Sequence, residues 1–291
     1  MSVSAASDTT EIVARALGSI GDIATLPEIT VKIIEVVEDP NSSARDLHQI
    51  IKNDPALSAR ILKVVNSAFY GLPGQIATVD RAIVMLGLSA VKNIAIAASI
   101  AKLFRGSKLG GKFRPLDLWK HSIAVGTASR MMIKMLGRQG GEEIFVAGLI
   151  HDLGLLVERQ VFEEQLAEVI ARAEGGEDFC TLERELMVAD HQDFGLGLTT
   201  KWKFPRHLRV VTGYHHNPDR LQAEIQELAT VVYLADRICC SQKIGLHVTG
   251  GEDPIPPEAM ELLGATEQQI EQLVVELPAQ LEVAELMLSS A

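Results

Sequence analysis

The chain has 291 residues and a formal charge of −11, and it is 47% hydrophobic but only 4% aromatic. That length suits one large domain or two modest ones with ample buried core. The acidic balance argues against broad nucleic-acid binding, and no uninterrupted apolar run approaches the roughly 18 residues of a membrane helix.

The three cysteines, Cys180, Cys239 and Cys240, have no paired spacing. That sparse, odd count predicts a reducing compartment without a disulfide framework. Met1 to Thr10 has no basic start and no long apolar segment, so a cytoplasmic protein is expected.

In chain order, residues 1–10 read as a small, polar, disordered terminus. Helical spacing starts at Glu11. Ile29, Ile33, Ile34 and Val37 form one stripe, ended by Asp39-Pro40. Ser43-Ala44-Arg45-Asp46 resembles a capping box, and Asp54-Pro55 reads as an N-cap followed by proline at the first helical position. Thr78 caps a short helix ending at Gly87, and Ser89 is expected to cap another reaching about Phe104. Gly106 to Pro115 is a glycine-rich connection. A long helix follows from about Leu116 to Leu136, then a break at Gly140-Gly141 and an apolar helix ending in His151-Asp152. Further helices are expected at roughly 161–174, 181–201, 206–215, 224–241 and 266–289. The class is all-α: an N-terminal helical subdomain over 11–105 and a second helical subdomain over 116–291. Lys52, Arg60, Lys63, Arg81 and Lys92 read as a solvated basic face.

Seven polar residues interrupt this apolar pattern: His121, His151, Asp152, His191, His215, His216 and Asp236. Each lies on a helix or at a helix end. Alone, each reads as a structural or surface residue. Together they fit one site in a helical core where imidazole and carboxylate bind metal. Nitrogen and oxygen ligands without thiolate suit one or two divalent ions of iron, manganese, nickel or zinc. Asp152 is the expected bridge between two ions about 4 Å apart. Glu183 and Glu185 read as an exposed acidic stretch, supporting the ligands at most. His48, His207 and His247 have no partners in the pattern.

These residues resemble the HDOD family, the HD-related output domain of bacterial signalling proteins. The first half carries the more specific likeness, in Leu26-Pro27-Glu28, in the stretch from Asn53-Asp54-Pro55 to Asn66-Ser67-Ala68, and from Val79 to Leu88. The second half is similar to HD-superfamily phosphohydrolases and HD-GYP phosphodiesterases. The resemblance implies that His121, the pair His151-Asp152 and Asp236 form a one-metal set. His191, His215 and His216 then resemble the histidines that hold a second metal. Two stretches depart from the HD-GYP pattern: Leu153-Gly154-Leu155 lacks its lysine, and Asn217-Pro218-Asp219 replaces its Gly-Tyr-Pro segment.

The resemblance implies an HD-domain-like bundle serving as a regulatory module that acts by protein or ligand binding. A signalling protein or a small phosphorylated ligand is the expected partner, with neither membrane nor nucleic acid. The competing expectation is a metal-dependent phosphohydrolase with His121, Asp152 or His191 as candidate catalytic residues.

Overall fold

The computed structural model describes residues 3–21, 28–39, 41–67, 70–104, 114–250 and 255–288. Among them there is no strand. The first half comprises α1 (Val3–Ser19), α2 (Glu28–Glu38), α3 (Ala44–Lys52), α4 (Pro55–Val65), α5 (Val79–Leu86) and α6 (Leu88–Ile100), ending in a 3-10 turn over Ala101–Phe104. The second half comprises α7 (Pro115–Met135), α8 (Gly141–Ile150), α9 (Gly154–Val161), α10 (Glu163–Ala173), α11 (Phe179–Met187), α12 (His191–Lys201), α13 (Arg206–Tyr214), α14 (Ala223–Ser241), α15 (Pro257–Leu263) and α16 (Glu267–Leu288).

Local chemistry sets most boundaries. Ser43 N–H donates to Asp46 Oδ2 at 2.9 Å at the start of α3. Asp54 Oδ1 accepts from Leu57 N–H at 2.8 Å, with Pro55 in the first turn of α4. Thr78 Oγ1 accepts from Arg81 N–H to open α5. These bonds satisfy amide groups that a helix start leaves unpaired.

Five expectations need correction. α1 starts at Val3, inside the stretch read as a disordered terminus. Its Val13 and Leu17 fit the space above Gly197 of α12, so an apolar stripe anchors the helix. α1 therefore sits with the second half, although its sequence position is in the first. α6 starts at Leu88 after Gly87, without a side-chain cap from Ser89. The expected helix 181–201 is two: Val188 adopts φ 71° and ends α11, and Asp190 Oδ1 accepts from Asp193 N–H at 3.0 Å to start α12. The short helices α9 and α15 were not foreseen. The Gly106–Pro115 connection lies largely outside the described residues, as do Leu26, Pro27 and Ala68.

One continuous apolar core joins both halves. α6 packs against α8, and Ile94, Ile96, Ala97, Ala98 and Ile100 are all buried. α7 lies at the centre, against α8, α14 and α16. Its approach to α8 depends on two glycines. A Cβ on Gly148 would lie 2.7 Å from the Gly126 Cα, and one on Gly126 would lie 2.7 Å from the Phe145 carbonyl oxygen. Bare backbone at this crossing brings His121 on α7 close to His151 and Asp152 at the end of α8.

Candidate metal centre

Five elements deliver the seven residues singled out above. His121 comes from the first half of α7 and Asp236 from the second half of α14. His151 and Asp152 follow α8, His191 opens α12, and His215-His216 follow α13. Where a helix ends, backbone geometry relaxes, so two adjacent histidines can face one point. The side chains of His121, His151, Asp152, His191, His215 and Asp236 are fully buried, whereas that of His216 is 11% exposed.

Four imidazoles are oriented from behind, three by backbone carbonyls, which can only accept a hydrogen bond, and one by the Glu183 carboxyl. His121 Nδ1–H donates to the Ile244 carbonyl at 3.2 Å. His151 Nδ1–H donates to the Gly148 carbonyl at 2.7 Å, and His215 Nδ1–H to the Thr212 carbonyl at 3.1 Å. Both of these bonds reach back three residues to a carbonyl that a helix end leaves free. His191 Nδ1–H donates to both oxygens of Glu183, at 2.8 and 2.9 Å. This pattern fixes the proton on Nδ1 and turns every Nε2 inward.

The inward atoms meet carboxylate oxygens. His121 Nε2 lies 2.9 Å from Asp236 Oδ1 and 3.9 Å from Asp152 Oδ2. His151 Nε2 lies 3.3 Å from Asp152 Oδ2 and 3.9 Å from Asp236 Oδ1. On the other side of Asp152, Oδ1 lies 3.4 Å from His191 Nε2 and 3.3 Å from His215 Nε2. His216 joins through Nε2, 3.0 Å from His191 Nε2, and its Nδ1 is 3.7 Å from Asp236 Oδ2. The ligand atoms of Asp152, His191, His215 and His216 lie within 4.8 Å of one another, as do those of His121, His151 and Asp152. Asp152 therefore belongs to both groups, one on each oxygen.

This arrangement places lone pairs against lone pairs in a buried space. His151 Nε2, both Asp152 oxygens and Asp236 Oδ2 have no hydrogen-bond partner. Protonation could relieve this only by burying several like charges. Cations with nitrogen and oxygen preferences relieve it directly, so the donor set fits divalent transition metals. Burial alone would raise the Asp152 carboxyl. The neighbouring imidazoles of His151, His215 and His191 outweigh it and hold the group well below the carboxylate range. Burial likewise raises Asp236, and its contact with His121 overcomes this and lowers the carboxyl. His216 is pushed down by burial and by His215 and His191 beside it.

Glu183 departs from the exposed reading of its stretch, though it does support a ligand. It is fully buried and orients His191, while Glu185 stays exposed and pairs with Arg172. Phe179, Leu182 and Met187 mark the buried face of α11, and Glu183 lies four residues from two of them. That spacing was the available signal. Behind Glu183 lies Glu158 of α9, also fully buried. Burial and the neighbouring Glu183 raise its carboxyl well above the usual value. His48, His207 and His247 lie elsewhere, paired with Asp80, Glu143 and the Gly245 carbonyl. Cys239 and Cys240 are buried as expected, and burial pushes both thiols up. No helix among the described residues is long and apolar enough to cross a membrane.

Known proteins share this architecture. A protein from Treponema pallidum without assigned function is 24% identical over 266 residues, and the chain spans about half the length of that relative. The structure of an HDOD domain protein from Geobacter sulfurreducens superposes with a TM-score of 0.82 at 19% identity, over 97% of this chain and 99% of the other. A protein provisionally described as a phosphohydrolase, from Shewanella amazonensis, gives 0.73 at 23% identity, over 95% and 98%. One provisionally described as a signal transduction protein, from Marinobacter aquaeolei, gives 0.72 at 20% identity, over 97% of this chain and 66% of the other. At such identities these structures establish the fold. The family model of the HDOD domain matches residues 23–218, a span that holds six of the seven converging residues and stops before Asp236. With that match over most of its length, the chain belongs to the HDOD domain family.

Proposed function

We propose that this chain is a signalling module that senses a small phosphorylated ligand through a divalent-metal centre and relays its state to a protein partner. One observation carries the reading: four imidazoles locked by Nδ1 turn their Nε2 lone pairs onto the oxygens of two buried aspartates. A buried polar network left unsatisfied in this way is costly. The family and the similar structures support signalling and a phosphate-related ligand.

His121, His151, Asp152 and Asp236 would hold one ion, with His191, His215, His216 and the second oxygen of Asp152 holding another. Bound metal would supply a clamp for phosphate oxygens and lower the pKa of an attached water. Glu183 keeps His191 in the tautomer that presents Nε2, and the Gly148, Thr212 and Ile244 carbonyls do the same for the other three. The phosphohydrolase reading also has a specific support, since His216 of the cluster lines a surface cavity that could admit a substrate.

Metal analysis of chain purified without chelator, beside Asp152→Ala, tests the proposal. The wild type should carry metal, and the variant should lose it and melt lower. An ion held at 100 times its dissociation constant adds about 2.7 kcal/mol. Equal, negligible metal and equal melting in both proteins would refute it. Turnover of a generic phosphodiester by the wild type alone would promote the hydrolase reading.

A further inference from the structure

The cavity beside the centre has a definite chemistry. Its volume is about 340 Å³, and His216 forms part of its wall. Thr230 and Tyr233 of α14 line one side, with Gln226 a turn earlier. Pro218, Pro256 and Leu262 supply apolar surface. Asp219 and Glu258 sit at the exposed rim. No lysine or arginine is among the described residues that line it. The nearby Arg237 is engaged: its guanidinium lies 5.6 Å over the Tyr233 ring and donates to the Gly250 carbonyl at 2.7 Å.

Each property restricts what can bind. Small-molecule sites run from roughly 300 to 1,000 Å³, so this one has room for a single ring system. Without a cationic side chain, the walls offer nothing to neutralise a second phosphate, and the rim carboxylates repel one. Apolar surface with a few hydroxyl and amide groups suits a ring that carries few polar atoms. The one exposed side chain of the centre, His216, connects the pocket to the metal-ligating cluster.

We propose that this cavity is the ligand pocket of the centre and that it takes a phosphomonoester with one phosphate and one uncharged, ring-sized organic group. The inference rests on the metal-binding reading above. The phosphate faces the His216 end, and the ring lies between α14 and α15 against Tyr233 and Leu262. Diphosphates, triphosphates and ligands of two nucleotides are rejected by charge and by size.

Calorimetric titration of the metal-loaded full chain tests this with probes that cannot be hydrolysed. Inorganic phosphate reports the centre alone, and 4-nitrobenzylphosphonate reports the centre plus pocket. Burial of the ring should make the second bind about tenfold tighter or more. Ala259→Trp, which fills the pocket from α15, should erase that advantage while leaving metal content unchanged. As a measurement independent of that variant, 4-carboxybenzylphosphonate should bind the wild type several-fold more weakly than the nitro compound, and Glu258→Gln should narrow the gap. Equal affinity for phosphate and the nitro probe, or an advantage that survives a folded Ala259→Trp, overturns the pocket and leaves the metal reading standing. A wild type that holds no metal and binds no phosphate overturns both.

Discussion

Gly154→Ala is the sharpest probe of how the centre is built. Gly154 opens α9 two residues after Asp152, and its backbone presses on the start of α12. An added Cβ would lie 1.8 Å from the His191 carbonyl oxygen and 2.8 Å from the Gly195 nitrogen. The first distance falls about 1.6 Å short of an ordinary 3.4 Å contact. Both opposing atoms are backbone, so no side-chain rotation relieves the overlap. α9 and α12 must part, and Asp152 and His191 part with them. Overpacking a core costs typically 1–3 kcal/mol, and backbone against backbone belongs at the upper end. With an unfolding entropy of about 2.1 cal/mol/K per residue, a chain of this size should melt about 5 °C lower. Scanning calorimetry with metal analysis on the same sample reads both effects. Gly18→Ala is the control, because nothing lies within 4 Å of its added Cβ and alanine suits the helix better. If Gly154→Ala melts within a degree of wild type and keeps its metal, the close crossing does not position the centre.

Val188→Gly should raise stability by about 1 kcal/mol, because a β-branched residue at φ 71° is strained; an unchanged or lower melting temperature would contradict this. Glu183→Ala should weaken divalent-metal affinity about 10- to 100-fold by freeing the His191 ring, with helicity by circular dichroism unchanged; wild-type affinity would show that the carboxylate is dispensable. Glu158→Gln should give a pH-dependent gain. Burial and Glu183 raise the folded Glu158 carboxyl above its ordinary 4.5, so its contribution is intact below that pH and is lost as pH rises towards the folded value. The glutamine variant should therefore match wild type near pH 4 and exceed it increasingly above, as read by urea unfolding across pH; a constant difference would refute the buried-acid account.

The all-α class was legible because apolar spacing is strong from Glu11 onward and caps such as Asp54 and Thr78 follow local rules. The converging residues were legible because histidines and aspartates stood out within apolar helices. The break at Val188 was not, since no glycine or proline marks it and the residue adopts a conformation its type avoids. Glu183 was hidden by its acidic neighbours, and only the α11 face defined by Phe179, Leu182 and Met187 separates it from Glu185. The role of Gly154 was invisible because it depends on α12, a helix nearly forty residues downstream. Pocket residues such as Leu262 and Ala259 sit on α15, whose short pattern carried no signal of its own.

Enclosure also governs time. Six of the converging side chains are sealed from solvent, and only His216 reaches it. Under the metal-binding reading, exchange of an ion with solution must proceed past that single ring or through local unfolding. Chelators too large for the His216 pocket would then strip the protein at a rate set by its own motions and independent of chelator concentration once that is high. An ion acquired while the chain folds would therefore exchange slowly with those of the surroundings.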